Sequence, residues 1–218
     1  MTGTTASHAL PAVPEKYLAR LRALLETGKR VIIGLVGAPG SGKSTVALAL
    51  RDAFPTQSQI VPMDGYHLAN AELARLGRAS RKGAPDTFDS AGYASLLRRL
   101  RDQEEDEIIY APEFHRNIEE AIAGSIPVFP GTKLIITEGN YLLLDDGHWS
   151  KVAQLLDEVW YVDVDDELRI ERLSRRHEQF GRTPEAAAAW VMNTDEPNAR
   201  LIAADKARAD LIFSWTGD

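Results

Sequence analysis

The segment GAPGSGKST has the residue types and the spacing of a loop that binds phosphate groups. Gly37, Gly42, Lys43 and Ser44 match the pattern G-x-x-x-x-G-K-[ST], and the apolar run VIIGLV stands directly before them. Glycines allow successive backbone N–H groups to converge on a polyphosphate, and a helix that begins near Lys43 adds the positive end of its dipole. Lys43 would reach the outer phosphates, and the Ser44 hydroxyl would ligate a bridging Mg²⁺. The predicted nucleotide-binding residues are Gly37, Ala38, Pro39, Gly40, Ser41, Gly42, Lys43, Ser44 and Thr45.

The sequence also favours ATP over GTP as the nucleotide. Guanine-specific switches usually carry an Asn-Lys-x-Asp segment, and the sequence contains none. A phosphate-binding loop alone does not name a reaction, because hydrolases, switches, motors and small-molecule kinases all use one. The residues that hold a second substrate must separate these classes.

Two acidic residues end apolar runs that are typical of buried strands. Asp64 ends QIVPMD, and a carboxylate there could accept a proton from a substrate hydroxyl or orient it. The alternative is an Asp-Gly turn that only terminates a strand. Glu138 follows the apolar residues of LIITEG, where an acidic residue would support the Mg²⁺ and its waters. A strand-end carboxylate near solvent is the alternative for Glu138.

The segment RIERLSRRHEQFGR concentrates arginines in a chain that is acidic overall. Three of them fall at i, i+3 and i+7, on one helical face: Arg169, Arg172 and Arg176. Arginines that converge on a phosphoryl group stabilise its developing charge, and a closing lid excludes water. We therefore predict a lid over residues 166–183. The alternative is a surface helix in which Glu171 and Arg175 form an i, i+4 pair.

Strand-like and helical segments alternate along the chain. The predicted strands cover residues 31–36, 59–64, 133–139, 158–164 and 210–215. The predicted helices cover residues 14–25, 90–102, 148–156, 166–180 and 184–193, with one more after the phosphate-binding loop. Such alternation produces right-handed crossovers and a parallel sheet covered on both faces. The sequence thus predicts an α/β fold, a three-layer α/β/α sandwich with a mostly parallel central sheet and a small helical lid.

Length and composition limit the number of domains, the classes of binding partner and the expected cellular compartment. With 218 residues, the chain can form one domain, which we place at residues 13–218 after a flexible tail at residues 1–12. The net charge of −7 argues against a nucleic-acid or membrane surface, and the absence of cysteine excludes disulfides and zinc–thiolate sites. No apolar run approaches the roughly 20 residues of a membrane span. The first ten residues lack the features of a signal peptide, so we expect a cytoplasmic protein.

The order of the motifs resembles the phosphoribulokinase/uridine kinase family of P-loop kinases. The motifs are GAPGSGKS, MDGYHLAN, RKGAPDTFD, EGNYLLL and RxxRLxRRH. Within the family, the sequence is most similar to the type I pantothenate kinase branch and to bacterial kinases assigned to fructose transport systems. The resemblance implies transfer of the γ-phosphoryl group of ATP to a hydroxyl of a small metabolite, with Mg²⁺ present. A homodimer is compatible with it.

The resemblance also implies roles for individual residues. Asp64 would be the acid that faces the substrate, and Glu138 the acid on the magnesium side. Lys43 would act on the phosphates, and the lid would present Arg172, Arg175 and Arg176. The acceptor candidates are Asp64, Tyr66, His67, Lys82, Phe114 and Arg116. For the segment APEFHRNIEEA, which holds the last two, a solvent-facing hairpin is the alternative.

The identity of the acceptor stays open at this stage. Pantothenate kinases have a longer chain and a tyrosine-rich acceptor pocket, and uridine kinases have Phe-Asp-His-Pro where this chain has Lys82-Gly83-Ala84-Pro85. Fructose or a related sugar is the first candidate, and a nucleoside or a pantothenate-like acid comes next. A nucleotide-dependent regulator or a simple NTP hydrolase are the alternatives that need no small-molecule acceptor.

Overall fold

The computed structural model describes residues 10–215, so residues 1–9 of the predicted tail lie outside the described part. The strands are β1 Val31–Val36, β2 Ser58–Ile60, β3 Ile109–His115, β4 Glu120–Val128, β5 Leu134–Gly139, β6 Glu158–Val162 and β7 Leu211–Phe213. Five of them form one sheet in the order β2-β5-β1-β6-β7, and every pairing in it is parallel. The remaining two strands, β3 and β4, form an antiparallel hairpin.

The α-helices cover the sheet from both sides. They are α1 Glu15–Leu25, α2 Lys43–Ala53, α3 Asn70–Arg75, α4 Ser90–Arg101, α5 Asp166–Gln179, α6 Pro184–Trp190 and α7 Glu196–Ala204. A π-helical turn, Val191–Asp195, joins α6 to α7. Among the described residues, no helix combines the length and the apolar character needed to cross a membrane.

Alternate residues of the central strand β1 face two separate hydrophobic clusters. Ile33 packs with Leu21 of α1 and Leu50 of α2, whereas Ile32 belongs to the cluster that contains Leu97 of α4. Successive side chains of a strand point to opposite faces, so a strand that is apolar throughout must be covered on both sides. The predicted three-layer α/β/α sandwich is confirmed.

The strand that leads to Asp64 is shorter than the sequence predicts. β2 ends at Ile60, and Met63–Tyr66 forms a 3₁₀ turn. Pro62 has no N–H to donate to a neighbouring strand, so the ladder cannot continue through it. Asp64 therefore lies on a turn just beyond the carboxyl edge of the sheet. This edge is where open α/β sheets bind their ligands.

Three further segments differ from the predictions. The predicted helix at 148–156 is two 3₁₀ turns, Trp149–Lys151 and Ala153–Leu155. The predicted helix at 184–193 ends at Trp190, where the π-helical turn begins. Residues 76–89, where the sequence predicts neither a strand nor a helix, contain the 3₁₀ turns Ala79–Arg81 and Pro85–Thr87.

The sequence offers the β3–β4 hairpin only as the alternative for residues 111–121. Its strands alternate poorly and contain Pro112 and Pro127, which are tolerated because the sheet has only two strands. The backbone of β3 passes over Gly65, where an added Cβ would lie 2.3 Å from the Pro112 carbonyl oxygen. Glycine at this position thus lets the hairpin approach the turn that carries Asp64.

Candidate active site

The loop between β1 and α2 uses one backbone donor internally, the Ser41 N–H that donates to the Ala38 carbonyl oxygen at 3.1 Å, and it offers the N–H groups at the start of α2 to an anion. Gly42 precedes the first residue of α2 with a φ of 90°, a conformation that favours glycine. In the described part of the chain, no side chain caps the N–H groups of the first turn of α2, whereas Asp89, Asp165 and Thr183 cap α4, α5 and α6. Ser41 Oγ is the single buried side-chain polar atom without a partner within residues 10–215. Uncapped N–H groups, a helix dipole and an unpaired hydroxyl fit a polyphosphate.

Lys43 is buried beneath this loop. Its Nζ donates to the carbonyl oxygens of Gly37 at 2.9 Å and Ala38 at 3.1 Å. Burial lowers the pKa of Lys43 to about 8, although Glu138 and Asp64 act in the opposite direction. The loop therefore holds a cation at the place where the sequence predicts the outer phosphates.

Glu138 and Ser44 meet in the way that the predicted magnesium site requires. Ser44 Oγ donates to Glu138 Oε1 at 2.9 Å, and Glu138 is only 7% exposed at the end of β5. Burial raises the pKa of Glu138, and the nearby Asp64 carboxylate raises it further. A hydroxyl and a carboxylate are hard oxygen donors of the kind that Mg²⁺ prefers. The residues present therefore fit Mg²⁺.

A cavity of about 410 Å³ joins the phosphate-binding loop to Asp64. Its walls include Lys43, Ser44, Glu138 and Asp64, so the structure brings the loop and both strand-end acids together. Arg116, from the turn between β3 and β4, also lines the cavity, and its Nη2 lies 3.3 Å from Asp64 Oδ2. The carboxylate faces the cavity with a cation beside it.

The other acceptor candidates do not all reach the cavity. His67, Lys82 and Phe114 line it, and Lys82 Nζ lies 5.1 Å from the centre of the Phe114 ring. Tyr66 is not in its wall, because its ring packs 5.5 Å from that of Tyr93 on α4. Burial raises the pKa of Tyr66 to about 12, so this side chain is a neutral packing group at physiological pH.

Lys82 also fastens the tip of the hairpin. Its Nζ donates to Asn70 Oδ1 at 2.7 Å and to the Glu119 carbonyl oxygen, while Asn70 Nδ2 donates to the same carbonyl at 3.1 Å. Glu119 has a φ of 53°, which is uncommon for a residue other than glycine. The loop after α3 and the hairpin are thus tied together at one wall of the cavity.

The three predicted lid arginines take three different positions. Arg176 lines the cavity, and no hydrogen bond holds its guanidinium within residues 10–215. Burial lowers the pKa of Arg176, and the neighbouring Arg116 lowers it further. Arg172 lies outside the cavity wall, with its Nη1 above Gly42. Arg175 pairs with Glu171 at 2.5 Å and leaves 72% of its side chain exposed, so it follows the alternative described for this helix.

The comparisons with known proteins agree with this geometry. The model of the phosphoribulokinase/uridine kinase family matches residues 32–218. The chain belongs to this family. It is therefore a P-loop kinase, an ATP-dependent phosphotransferase that acts on hydroxyl acceptors. Family membership implies ATP and, typically, Mg²⁺.

Individual kinases of this group are similar over most of the chain. A Schizosaccharomyces pombe protein provisionally named uridine kinase C227.14 is 34% identical over 201 residues, 87% of this chain and 85% of the relative. The ATP-dependent kinase-like protein notR' of Aspergillus versicolor is 39% identical over 145 residues, 63% of this chain and 84% of that protein. A solved structure from Silicibacter sp. TM1040, provisionally named a fructose transport system kinase, has 37% identity and a TM-score of 0.81. The match covers 90% of this chain and 98% of the solved chain.

The sequence places Arg169 on the helical face predicted to meet the phosphoryl group, and it indicates no role for His177 or Asp195. Arg169 is buried and pairs with Glu196 at 2.5 Å and Asp166 at 3.0 Å. It therefore connects α5 to α7, and its guanidinium does not face the phosphate-binding side of the cavity. His177 Nε2 lies 2.8 Å from Asp195 Oδ2, and both residues line the cavity. Helical periodicity shows which residues share a face. It does not show which neighbour each of them meets.

Proposed function

We propose that this kinase transfers the γ-phosphoryl group of ATP to a hydroxyl of a sugar-like metabolite, with fructose or a related sugar as the first candidate. The observation that carries the proposal is one shared cavity lined by Lys43, Glu138, Asp64 and Arg176. Phosphoryl transfer needs positioning and charge stabilisation more than covalent chemistry, and this cavity supplies both. The choice of sugar follows the provisional name of the similar solved structure.

On the nucleotide side, the chain contributes donors and cations. The uncapped N–H groups at the start of α2 would hold phosphate oxygens, and Lys43 would exchange its bonds to Gly37 and Ala38 for the outer phosphates. Ser44 and Glu138 would hold Mg²⁺, which when bound neutralises charge on the phosphates. Each of these groups already stands at the same end of the cavity.

On the acceptor side, Asp64 would orient the acceptor hydroxyl and take its proton. The carboxylate must be free to do so, whereas it now pairs with Arg116 at 3.3 Å. A phosphoryl group beside the pair would compete for the guanidinium, because two charge-assisted bonds to phosphate oxygens replace one long contact. Arg116 would then stabilise the transferring group and leave Asp64 to the acceptor.

We further propose that residues 166–183 act as the lid. Arg176 is the residue of this segment whose position supports the role, because its guanidinium faces the cavity and has no hydrogen bond to any residue that the structure describes. Closure would exclude water, which strengthens the attraction between this cation and the transferring group. Arg172 stands above Gly42 and could join Arg176 after a small movement of α5.

A nucleoside is the second candidate acceptor. It is favoured by the Schizosaccharomyces pombe relative, whose provisional name is that of a uridine kinase. Pantothenate is the third, from the resemblance of the motifs alone. An acceptor-independent NTP hydrolase and a nucleotide-dependent regulator make no use of the space beside Asp64, His67 and Phe114.

The experiment is ADP release with Mg-ATP across a panel of D-fructose, other sugars, uridine and pantothenate. We expect release that depends on one class of acceptor, together with a phosphorylated product identified by mass spectrometry. Equal release with and without every acceptor would indicate a hydrolase. Negligible release throughout, together with nucleotide-dependent capture of a protein, would indicate a regulator. Either result would contradict the proposal.

A further inference from the structure

Two buried hydroxyl groups join the end of β5 to the chain just before Asp64. Thr137, the residue before Glu138, donates from Oγ1 to the Val61 carbonyl oxygen at 2.6 Å. Tyr93 of α4 places its hydroxyl 2.6 Å from the same Oγ1. A carbonyl oxygen can only accept, so the one hydroxyl proton of Thr137 serves Val61, and Thr137 must accept from Tyr93. The bonds therefore run in one direction, from Tyr93 through Thr137 to Val61.

This network begins where the ladder of the sheet ends. The Val61 N–H still donates to the Ile136 carbonyl oxygen at 2.9 Å, whereas Pro62 has no N–H to donate. In the part of the chain that the structure describes, no backbone N–H donates to the Val61 carbonyl oxygen, and the Thr137 hydroxyl takes that place. Thr137, Val61 and Tyr93 have no exposed surface. Loss of the Thr137 hydroxyl would therefore leave two buried polar groups without a partner, which is costly.

Two further contacts hold the 3₁₀ turn that begins at Met63. An added Cβ at Gly139 would lie 2.6 Å from the Cβ of Met63, so glycine after Glu138 lets this turn approach the end of β5. The ring of Tyr66, at the end of the turn, packs 5.5 Å from that of Tyr93. Contacts to the turn and to the residues before it thus stand on both sides of Glu138 in sequence.

The sheet holds the two acids unequally. Glu138 stands on β5, which pairs with β1 along its whole length and with β2 over its first three residues. Asp64 lies beyond β2, so on its N-terminal side its position depends on the contacts just described and not on a ladder. Displacement of a reacting group by about 1 Å can lower a rate about 100-fold. The separation of the two carboxyl groups therefore needs support of its own.

We propose that Thr137 and Tyr93 are positioning residues that set the separation between Asp64 and Glu138. Neither Thr137 nor Tyr93 lines the cavity, so both act through the chain before Asp64 and not on a ligand. The inference rests on the proposed function, in which Asp64 orients the acceptor hydroxyl and Glu138 stands on the nucleotide side. The separation of the two acids then decides how the hydroxyl meets the phosphoryl group.

The first test is hydrogen exchange, which needs no acceptor. Thr137→Val keeps the shape of the side chain but leaves the Val61 carbonyl oxygen and the Tyr93 hydroxyl without partners. In the nucleotide-free full chain, we expect amide exchange in peptides that span residues 61–68 to be about tenfold faster than in the wild type, the effect of one lost hydrogen bond. Mass spectrometry measures this rate. An unchanged rate overturns the inference.

The second test is kinetic and uses the best acceptor of the panel. For Thr137→Val, we expect kcat to fall at least about tenfold because Asp64 is displaced. The Kd for ATP and the Mg²⁺ concentration for half-maximal activity should stay within about threefold, because Glu138 and the phosphate-binding loop keep their places. Thr137→Ser retains the hydroxyl and should recover most of kcat. Full kcat in Thr137→Val, or equal losses in Thr137→Val and Thr137→Ser, overturns the inference.

A matched pair of tyrosine variants separates positioning from general stability. Tyr93→Phe removes the hydroxyl that donates to Thr137. Tyr17→Phe removes a hydroxyl from a tyrosine that is also buried but donates to the Ile212 carbonyl oxygen at 3.3 Å, in the other hydrophobic cluster. We expect both variants to lower Tm by about 2–4 °C, but only Tyr93→Phe to lower kcat, by about threefold or more. Equal losses of kcat would show that kcat follows stability, which overturns the inference.

The outcomes separate this inference from the proposed function. A wild type that phosphorylates no member of the panel contradicts the proposed function, and hydrogen exchange then decides the inference alone. Faster exchange with an unchanged kcat, where the wild type does phosphorylate an acceptor, overturns the inference and leaves the proposed function standing. Should Thr137→Val fail to fold, the exchange rates and kcat values of Tyr93→Phe and Tyr17→Phe decide the inference in its place.

Discussion

Arg116 Nη2 lies 3.3 Å from Asp64 Oδ2, so the carboxylate that we propose to face the acceptor pairs with a cation from the β3–β4 turn. Both side chains are partly open to solvent, 44% for Arg116 and 28% for Asp64, and such a pair adds at most about 1 kcal/mol to stability. We therefore propose that the pair serves the reaction and not the stability of the fold. The pair places a guanidinium where it can leave the carboxylate for a phosphoryl group.

Removal of Arg116 should affect turnover and not folding. For Arg116→Met, we expect Tm to stay within about 2 °C of the wild type and kcat to fall about 100-fold, because a cation near the transferring group is lost. Thermal unfolding and acceptor-dependent ADP release measure the two effects. Arg116→Lys should recover part of kcat through its charge. Full kcat in Arg116→Met would show that Arg116 has no role in the transfer step.

Arg176 and Arg175 are neighbours in sequence, but the structure gives them different surroundings. Arg176 faces the cavity, whereas Arg175 pairs with Glu171 in solvent. We therefore expect Arg176→Met to lower kcat by about 100-fold or more, and Arg175→Met to change it by less than about twofold. Steady-state kinetics measure kcat for both variants. Equal losses in the two would show that the lid closes with a different face of α5 toward the phosphates.

Glu138 should govern the response to magnesium. Glu138→Gln keeps the size of the side chain and an oxygen that can accept from Ser44, but removes the charge. We expect the Mg²⁺ concentration for half-maximal activity to rise about 10- to 100-fold. The matched control is Glu158→Gln, because Glu158 is also buried but pairs with Arg20 and Trp160 away from the cavity. A magnesium response that is identical in Glu138→Gln and the wild type would exclude the metal role.

The affinity for ATP should depend on the charge of Lys43. Burial lowers the pKa of Lys43 to about 8, so a growing fraction of the nucleotide-free enzyme carries a neutral amine above that pH. Bound phosphates favour the charged form, so binding takes up a proton, and affinity should fall by up to about tenfold per pH unit above pH 8. Calorimetric titration measures this slope. Lys43→Met should bind ATP weakly and with little slope, and a steep slope in this variant would assign the titration to another group.

The phosphate-binding loop and both acidic residues were predictable because local sequence encodes them. Gly37 to Ser44 form a contiguous motif, and Asp64 and Glu138 follow apolar runs whose carboxyl ends must share one edge of a parallel sheet. Their meeting in one cavity follows from the order of the strands. No long-range information was needed beyond that order.

Contacts between side chains of different secondary-structure elements were harder to predict. Arg169, Arg172 and Arg176 share a helical face in the sequence, yet Arg169 is buried against Glu196 and Pro39, and only Arg176 of the three lines the cavity. Tyr66 follows Asp64 closely but packs on Tyr93. In each case, the packing of a second element decides the position of the side chain, and local periodicity carries no record of it.

The central claim is that Asp64 serves the acceptor and the phosphate-binding loop serves ATP, within one cavity. Asp64→Asn with the best acceptor of the panel tests it most directly, through kcat and the Kd for ATP measured on the same preparation. We expect kcat to fall about 1,000-fold, because a positioned base is lost, while the Kd for ATP stays within about threefold. A variant that retains most of the wild-type kcat would contradict the account.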